Sequence, residues 1–179
     1  RVALRLAHGQ FHVAGIKVAR DTMSILILDF DGQEVTSLDV NLAAPQMEPT
    51  AFVLALRDAV TEACTGVGLG IETLSGISIG LAGQVDANNR FVHWSSSLTE
   101  RNVDLQTLLT EHLPCAAFID NDANLVAKAE HLFGEGRNVS DFIVITIESG
   151  VGMGMVLGGH IYRGTRGCGA EFGHTKVHL

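Results

Sequence analysis

Asp31-Gly32 lies between two runs of alternating apolar residues, and it constrains the fold more than any other pair in the chain. Asp-Gly suits the tightest hairpin turns, so Met23 to Phe30 and Glu34 to Leu42 read as antiparallel neighbours. Phe11 to Val18 precedes them across the polar turn Arg20-Asp21-Thr22, which makes a three-strand meander. The first residues, Arg1 to Leu6, alternate as a short extended segment before the turn Ala7-His8-Gly9-Gln10.

After Ala44-Pro45 the period changes. Pro49-Thr50 opens a helix along Phe52, Leu54, Leu56, Val60 and Ala63, and Gly66 to Gly70 ends it. Leu74 to Leu81 reads as a buried strand with a loop, Ala82 to Asp86, at its carboxyl end. Phe91 to Trp94 is a short strand, Ser95 to Arg101 a polar loop, and Asp104 caps a helix through Leu113. Cys115 to Ile119 is another buried strand. Leu125, Val126, Ala129 and Leu132-Phe133 then mark a helix that Gly134 stops. Beyond Gly136 to Ser140, the strands Phe142 to Ile147, Gly152 to Leu157 and His160 to Tyr162 start a second meander around Gly158-Gly159.

A meander followed by alternating helices and strands is an α/β pattern with a mixed sheet and flanking helices. The second meander reads as a similar lobe beginning again and incomplete at Leu179, with one sheet face left uncovered. A net charge of −8 argues against this portion clamping nucleic acid by itself. Three scattered cysteines, Cys64, Cys115 and Cys168, suggest a reduced, cytoplasmic setting and form no Cys-x-x-Cys pair. No run is apolar enough to cross a bilayer.

Chemistry concentrates where the strand ending at Ile119 hands over to the next helix, at Asp120-Asn121-Asp122-Ala123-Asn124. The carboxyl edge of an open α/β sheet is where ligands bind. Helix capping explains one of these four polar residues, because a cap uses one side-chain oxygen. Four glycine-containing or polar loops accompany it. Lys17 to Thr22 has the shape of a phosphate-wrapping turn but reads as a plain hairpin, since Ala19 and Arg20 stand where close approach needs glycine. Glu148 to Gly154 alternates glycine in a way that admits an anion, and equally suits a tight hairpin. In Gly164 to His174, Glu171 and His174 lie close enough to share a polyol, or His174 to ligate a metal. Gly83 and the Ser95-Ser96-Ser97 loop belong to the same edge.

Taken together and in this order, these segments resemble the ROK family of sugar kinases and sugar-responsive repressors. The matching residues are Gly15-Ile16, Gly80 to Asp86, Asn102 to Leu105, Asp120 to Asn124, Gly150 to Gly154, Tyr162-Arg163-Gly164 and Glu171 to His174. The resemblance implies an actin-like, ribonuclease H-like ATPase fold of two lobes around a cleft. Residues 9–122 would form the first lobe and residues 123–179 the start of the second. It implies sugar binding by Gly83, Asn121, Asp122, Glu171 and His174. In a kinase it makes Asp122 the general base and requires ATP and magnesium. It also makes His174 a zinc ligand, with the remaining ligands in a Cys-x-Cys-Gly-x-x-Gly-Cys segment that these residues do not include.

The departures from the family pattern fall on the nucleotide side. Lys17, in Lys17-Val18-Ala19-Arg20-Asp21-Thr22, stands where kinases carry the acid of Asp-x-Gly-Gly-Thr, and Glu148-Ser149-Gly150 stands for Gly-Thr-Gly. Lys17, Thr22, Ser149, Gly150 and Gly152 therefore form a degenerate nucleotide site. Gly169-Ala170 inverts the usual Ala-Gly before the glutamate. Residues 1–8 resemble the connector that follows a DNA-binding domain in family repressors. The expectation is an effector-binding region that takes a sugar, reaches DNA through a domain outside these residues, and assembles as a homodimer or larger. The alternative is an ATP-dependent kinase of a hexose or amino sugar.

Overall fold

A computed structural model describes residues 10–86, 88, 91–167 and 169–176, the side chain of His174 excepted; the connector expected over residues 1–8 lies outside these. Strands β1 (His12–Val18), β2 (Thr22–Asp29) and β3 (Glu34–Asn41) form the expected meander. The Asp-Gly turn is held by Asp29, whose Oδ1 accepts from the amides of Asp31 and Gln33 at 2.9 and 2.8 Å. Helix α1 (Pro49–Gly66) follows, with Glu48 as its cap and Pro49 in its first turn. Then come β4 (Leu74–Leu81), β5 (Gly83–Asp86), β6 (Phe91–Ser95), β7 (Val103–Asp104), α2 (Leu105–His112), β8 (Ala117–Asn121), α3 (Asp122–Phe133), β9 (Phe142–Ile147), β10 (Val151–Leu157) and β11 (His160–Ile161).

The first sheet has the order β3-β2-β1-β4-β8, antiparallel among the first three strands and parallel across β1, β4 and β8. It is the mixed sheet expected from the alternation. Its inward residues Ile16, Met23, Ile25, Ile27, Ile77 and Ile79 are buried with Phe52, Val53, Leu56 and Val60 of α1. Parallel pairing of β4 with β8 aligns Leu81 with Asn121, so both strands deliver their carboxyl ends to one edge.

In the segment 82–86, expected as a loop, Gly83–Asp86 form strand β5 of a small sheet of order β5-β6-β7. The strand escapes detection because it is four residues long and offers one buried apolar side chain, Val85, packed beside the buried Val92. The second meander pairs as β11-β10-β9.

Helix α3 is where the apolar periodicity misleads. Val126, Leu132 and Phe133 are exposed, and the buried side chains are Ala123, Asn124 and Ala127. The reason is close packing against β10. A Cβ on Gly152 would stand 2.6 Å from Thr146 Oγ1 and 3.1 Å from Ala123 Cβ, and one on Gly154 would stand 2.6 Å from Ala127 Cβ and collide with the Ala123 carbonyl. Small residues on both sides let the helix settle onto the strand. The opposite face of this sheet presents Ile143, Ile145 and Ile147 to solvent. No helix among the described residues is long and apolar enough to cross a membrane.

Gly154→Ala tests this contact. Overpacking against backbone costs roughly 1–3 kcal/mol. Urea denaturation of the variant is expected to show a lower midpoint with an unchanged slope, and an unchanged midpoint would refute the close approach.

Candidate functional site

The carboxyl edge of the first sheet is built by the handover from β8 to α3. Asn121 is extended (φ −61°, ψ 139°) and caps the helix, its Oδ1 accepting from the Asn124 amide at 3.2 Å. Its Nδ2 donates to the Gly83 carbonyl at 2.9 Å. One side chain thus stops the strand, starts the helix and fastens β5 to it. Asp120 turns inward and is 6% exposed. Its Oδ1 accepts from the Asn121 amide at 2.8 Å and from Asn124 Nδ2 at 3.2 Å. Its Oδ2 accepts from Arg163 Nη2. Asp122 is half-buried, and its Oδ1 accepts from the Ala123 amide at 2.9 Å. The four polar residues therefore divide. Asn121 caps, Asp120 and Asn124 join an interior network, and Asp122 takes part in neither.

Gly83 is required by β5 itself. Its φ is +138°, and a Cβ would collide with the Trp94 carbonyl and approach Ser95 Cα to 2.8 Å. Ser95 is fully buried and donates to the Ala82 carbonyl at 2.8 Å, while accepting from the Ser97 amide at 3.1 Å. The serine loop secures β5 from the inside.

The segment after β11 folds back on this edge. The Tyr162 amide donates to the Met155 carbonyl and the Gly169 amide to the Arg163 carbonyl, both at 2.8 Å. At Gly167 a Cβ would stand 2.5 Å from the Val85 carbonyl, so the loop lies directly on β5. Gly173 lies on Val151 at the start of β10. Glu171 is carried on this loop, is exposed and leads into the turn Phe172–His174. The His174 side chain lies outside the described residues. The inverted Gly169-Ala170 pair has a physical consequence. Ala170 has φ +68°, a region where glycine is at ease, whereas a Cβ on Gly169 would press to 2.9 Å from Arg163 C. The usual family order would place glycine at the strained position.

The degenerate nucleotide residues sit at the adjoining hairpins. The Ala19 amide closes the first turn on the Thr22 carbonyl at 2.9 Å. The Glu148 amide closes the second on the Gly150 carbonyl, also at 2.9 Å, with Ser149 exposed at its tip. A Cβ on Gly150 would meet nothing within 4 Å, while Gly152 is occupied in packing against α3. The two substituted charges find each other: Lys17 Nζ lies 2.6 Å from Glu148 Oε1. Each was legible as a departure; their pairing was not, because 131 residues separate them.

The inward turn of Asp120 and its pairing with Arg163 were not legible either. A carboxylate inside Asp-Asn-Asp offers no local sign that it faces inward, and Arg163 is remote in sequence. The zinc expectation rests on His174, whose side chain lies outside the described residues. No group of three or more His, Cys, Asp or Glu that could hold a metal is present among the described residues, and Cys168 lies outside them. Cys64 is buried, and desolvation pushes its thiol pKa up, away from the thiolate a metal would need.

The ROK family model matches residues 13–178. The xylose repressor of Bacillus spizizenii is 30% identical over 163 residues, which cover 91% of this chain and 42% of the repressor. A ROK family glucokinase from Streptomyces griseus, solved in complex with glucose and AMPPNP, superposes with a TM-score of 0.79 at 28% identity, over 93% of this chain and 51% of that one. A ROK family transcriptional regulator homologous to E. coli MLC superposes with a TM-score of 0.82, over 95% of this chain and 42% of that one. Its 22% identity speaks to the fold alone. The chain thus spans 42% of the length of the first curated relative it matches. The fold is the actin-like ATPase fold of these kinases and regulators. With the family pattern matched from the first strand to the Glu171 loop, the chain belongs to the ROK family.

Proposed function

We propose that this chain is the sugar-effector-binding region of a ROK-type transcriptional repressor and that it transfers no phosphoryl group. The observation that carries the reading is the ion pair between Lys17 and Glu148. It joins the two hairpins that would have to open toward ATP phosphates and magnesium. A carboxylate held about 4 Å from a phosphate charge costs on the order of 4 kcal/mol at an effective dielectric of 20. The space beside Gly152 is already taken by Thr146 and Ala123. The residues present therefore do not suit a nucleotide.

On the sugar side, the Asp122 carboxylate accepts a hydrogen bond from a sugar hydroxyl, Asn121 and the Gly83 backbone hold the neighbouring hydroxyl, and Glu171 and His174, on the loop after β11, are assigned to the same sugar. Asp122 acts as an acceptor and takes no proton. The two sheets stand as the first lobe and the start of the second, with the cleft between them. Sugar that binds one relative placement of the lobes better than another shifts the population toward it. In a homodimer this moves the DNA-reading domains, which lie outside these residues. The xylose repressor relative supports this class.

A kinase reading remains as the second, because Asp122 stands where a general base is needed and the glucokinase relative binds glucose and AMPPNP. A coupled phosphorylation assay of the whole protein against a hexose and amino-sugar panel separates the two. The expected result is calorimetric sugar binding, lost in Asp122→Asn, with no turnover. ATP-dependent turnover that disappears in Asp122→Asn would overturn the repressor reading.

Two substitutions probe the features behind it. The paired side chains are 53% and 54% exposed, so Lys17→Glu alone should lower stability by only about 0–1 kcal/mol. The exchange Lys17→Glu with Glu148→Lys should restore it in thermal denaturation. Ala170→Gly relieves a left-handed alanine, for which roughly 1–2 kcal/mol is at stake. The expected outcome is a raised melting temperature, and a fall would show that the loop does not need glycine there.

A further inference from the structure

We propose that Arg163 is a positioning residue of the sugar site, acting through its ion pair with Asp120 to hold the Gly164–His174 loop in register with the Asn121–Asp122 clamp. The inference rests on the sugar reading of this edge and adds to it a residue that touches no sugar itself.

The carboxyl edge is assembled from three chain segments: β5 with Gly83, the β8–α3 handover, and the loop after β11. The first two are joined by Asn121 Nδ2 on the Gly83 carbonyl at 2.9 Å. The third is joined to the second by the side-chain ion pair of Arg163 with Asp120, across 43 residues. Both side chains are largely withdrawn from water, 27% exposed for Arg163 and 8% for Asp120. A carboxylate buried to that degree needs its charge answered. Asp120 accepts from Asn121, Asn124 and Arg163, so it is the hub through which the loop reaches the clamp.

The backbone of Arg163 has a matching role. Its carbonyl accepts from the Gly169 amide at 2.8 Å, closing the stem of the loop that carries Glu171. The residue therefore ties the loop to itself with its backbone and to Asp120 with its side chain. Two buried polar atoms around this hub, Asn124 Oδ1 and Arg163 Nε, have no hydrogen-bond partner among the described residues. One is an acceptor and the other a donor. A planar guanidinium presents several donors in a fixed fork, which an ammonium cannot reproduce.

A purely structural ion pair would lower stability without changing how the folded protein binds sugar. A positioning pair would change affinity through the loop. The test is calorimetry and thermal denaturation of the whole protein with xylose, glucose and N-acetylglucosamine as probes. The variants are Arg163→Met, Arg163→Lys, Glu171→Gln and the double variant Arg163→Met with Glu171→Gln. The expected result is a roughly tenfold to hundredfold loss of affinity in Arg163→Met, the scale of a misplaced binding group. Arg163→Lys should recover part of it. The double variant should bind no more weakly than the worse single variant, because Arg163 works through the loop that carries Glu171.

Wild-type affinity in Arg163→Met, or losses that multiply in the double variant, would overturn the proposal while leaving the sugar site standing. Should Arg163→Met fail to fold, Arg163→Lys decides: wild-type affinity with only a lowered melting temperature overturns it. Failure of the underlying reading looks different. The wild-type protein would then bind none of the probes, or Asp122→Asn and Glu171→Gln would bind as the wild type does, and the inference would fall with that reading.

Discussion

The structure depends on a contact between a helix and a strand that carry almost no side chain where they meet. Ala123 and Ala127 of α3 lie against Gly152 and Gly154 of β10, close enough that a Cβ on Gly154 would strike the helix and one on Gly152 would crowd Ala123. This contact seats the second meander beside the first sheet. The same turn of helix begins with Asn121 and Asp122, so the packing that joins the two sheets also sets the ligand edge. Site and seam are held by one element, and neither can shift alone.

Much of this was legible in the sequence. Asp31-Gly32, the Pro49 helix start and the strand before Asp120 correspond to β2-β3, α1 and β8 because turn chemistry and hydrophobic period agree at each. The failures have physical causes. Strand β5 is too short to show a period, and it is held by Gly83, Ser95 and Asn121, contacts that no local pattern announces. Along α3 the large apolar residues point outward and the small ones inward, since close approach to β10 rewards the absence of bulk. Long-range ion pairs were invisible for a simpler reason, that proximity in space leaves no trace in spacing along the chain.

The Lys17–Glu148 pair illustrates how charge substitutions come to be tolerated. Taken one at a time, each puts a charge where the family pattern has another group. Taken together they neutralise one another across 2.6 Å, at a half-exposed position where the net gain is small but the repulsion is gone. The pair at Asp120 and Arg163 lies at the other extreme. It is nearly enclosed, and its loss would leave an unanswered charge inside the protein. Two bridges connect the same pair of sheets, one expendable and one not. Exposure decides which is which.

The open face of the second sheet bears on how the molecule behaves in company. Strand β9 lies at the sheet edge, so among the described residues one side of its backbone has no strand beside it. Its sequence, Phe142-Ile143-Val144-Ile145-Thr146-Ile147, carries no charge, no proline and no glycine. Natural edges of this kind are blunted by lysine, proline or a bulge, and β9 has none of these devices. Left uncovered, it is a template on which an extended chain of any origin can pair.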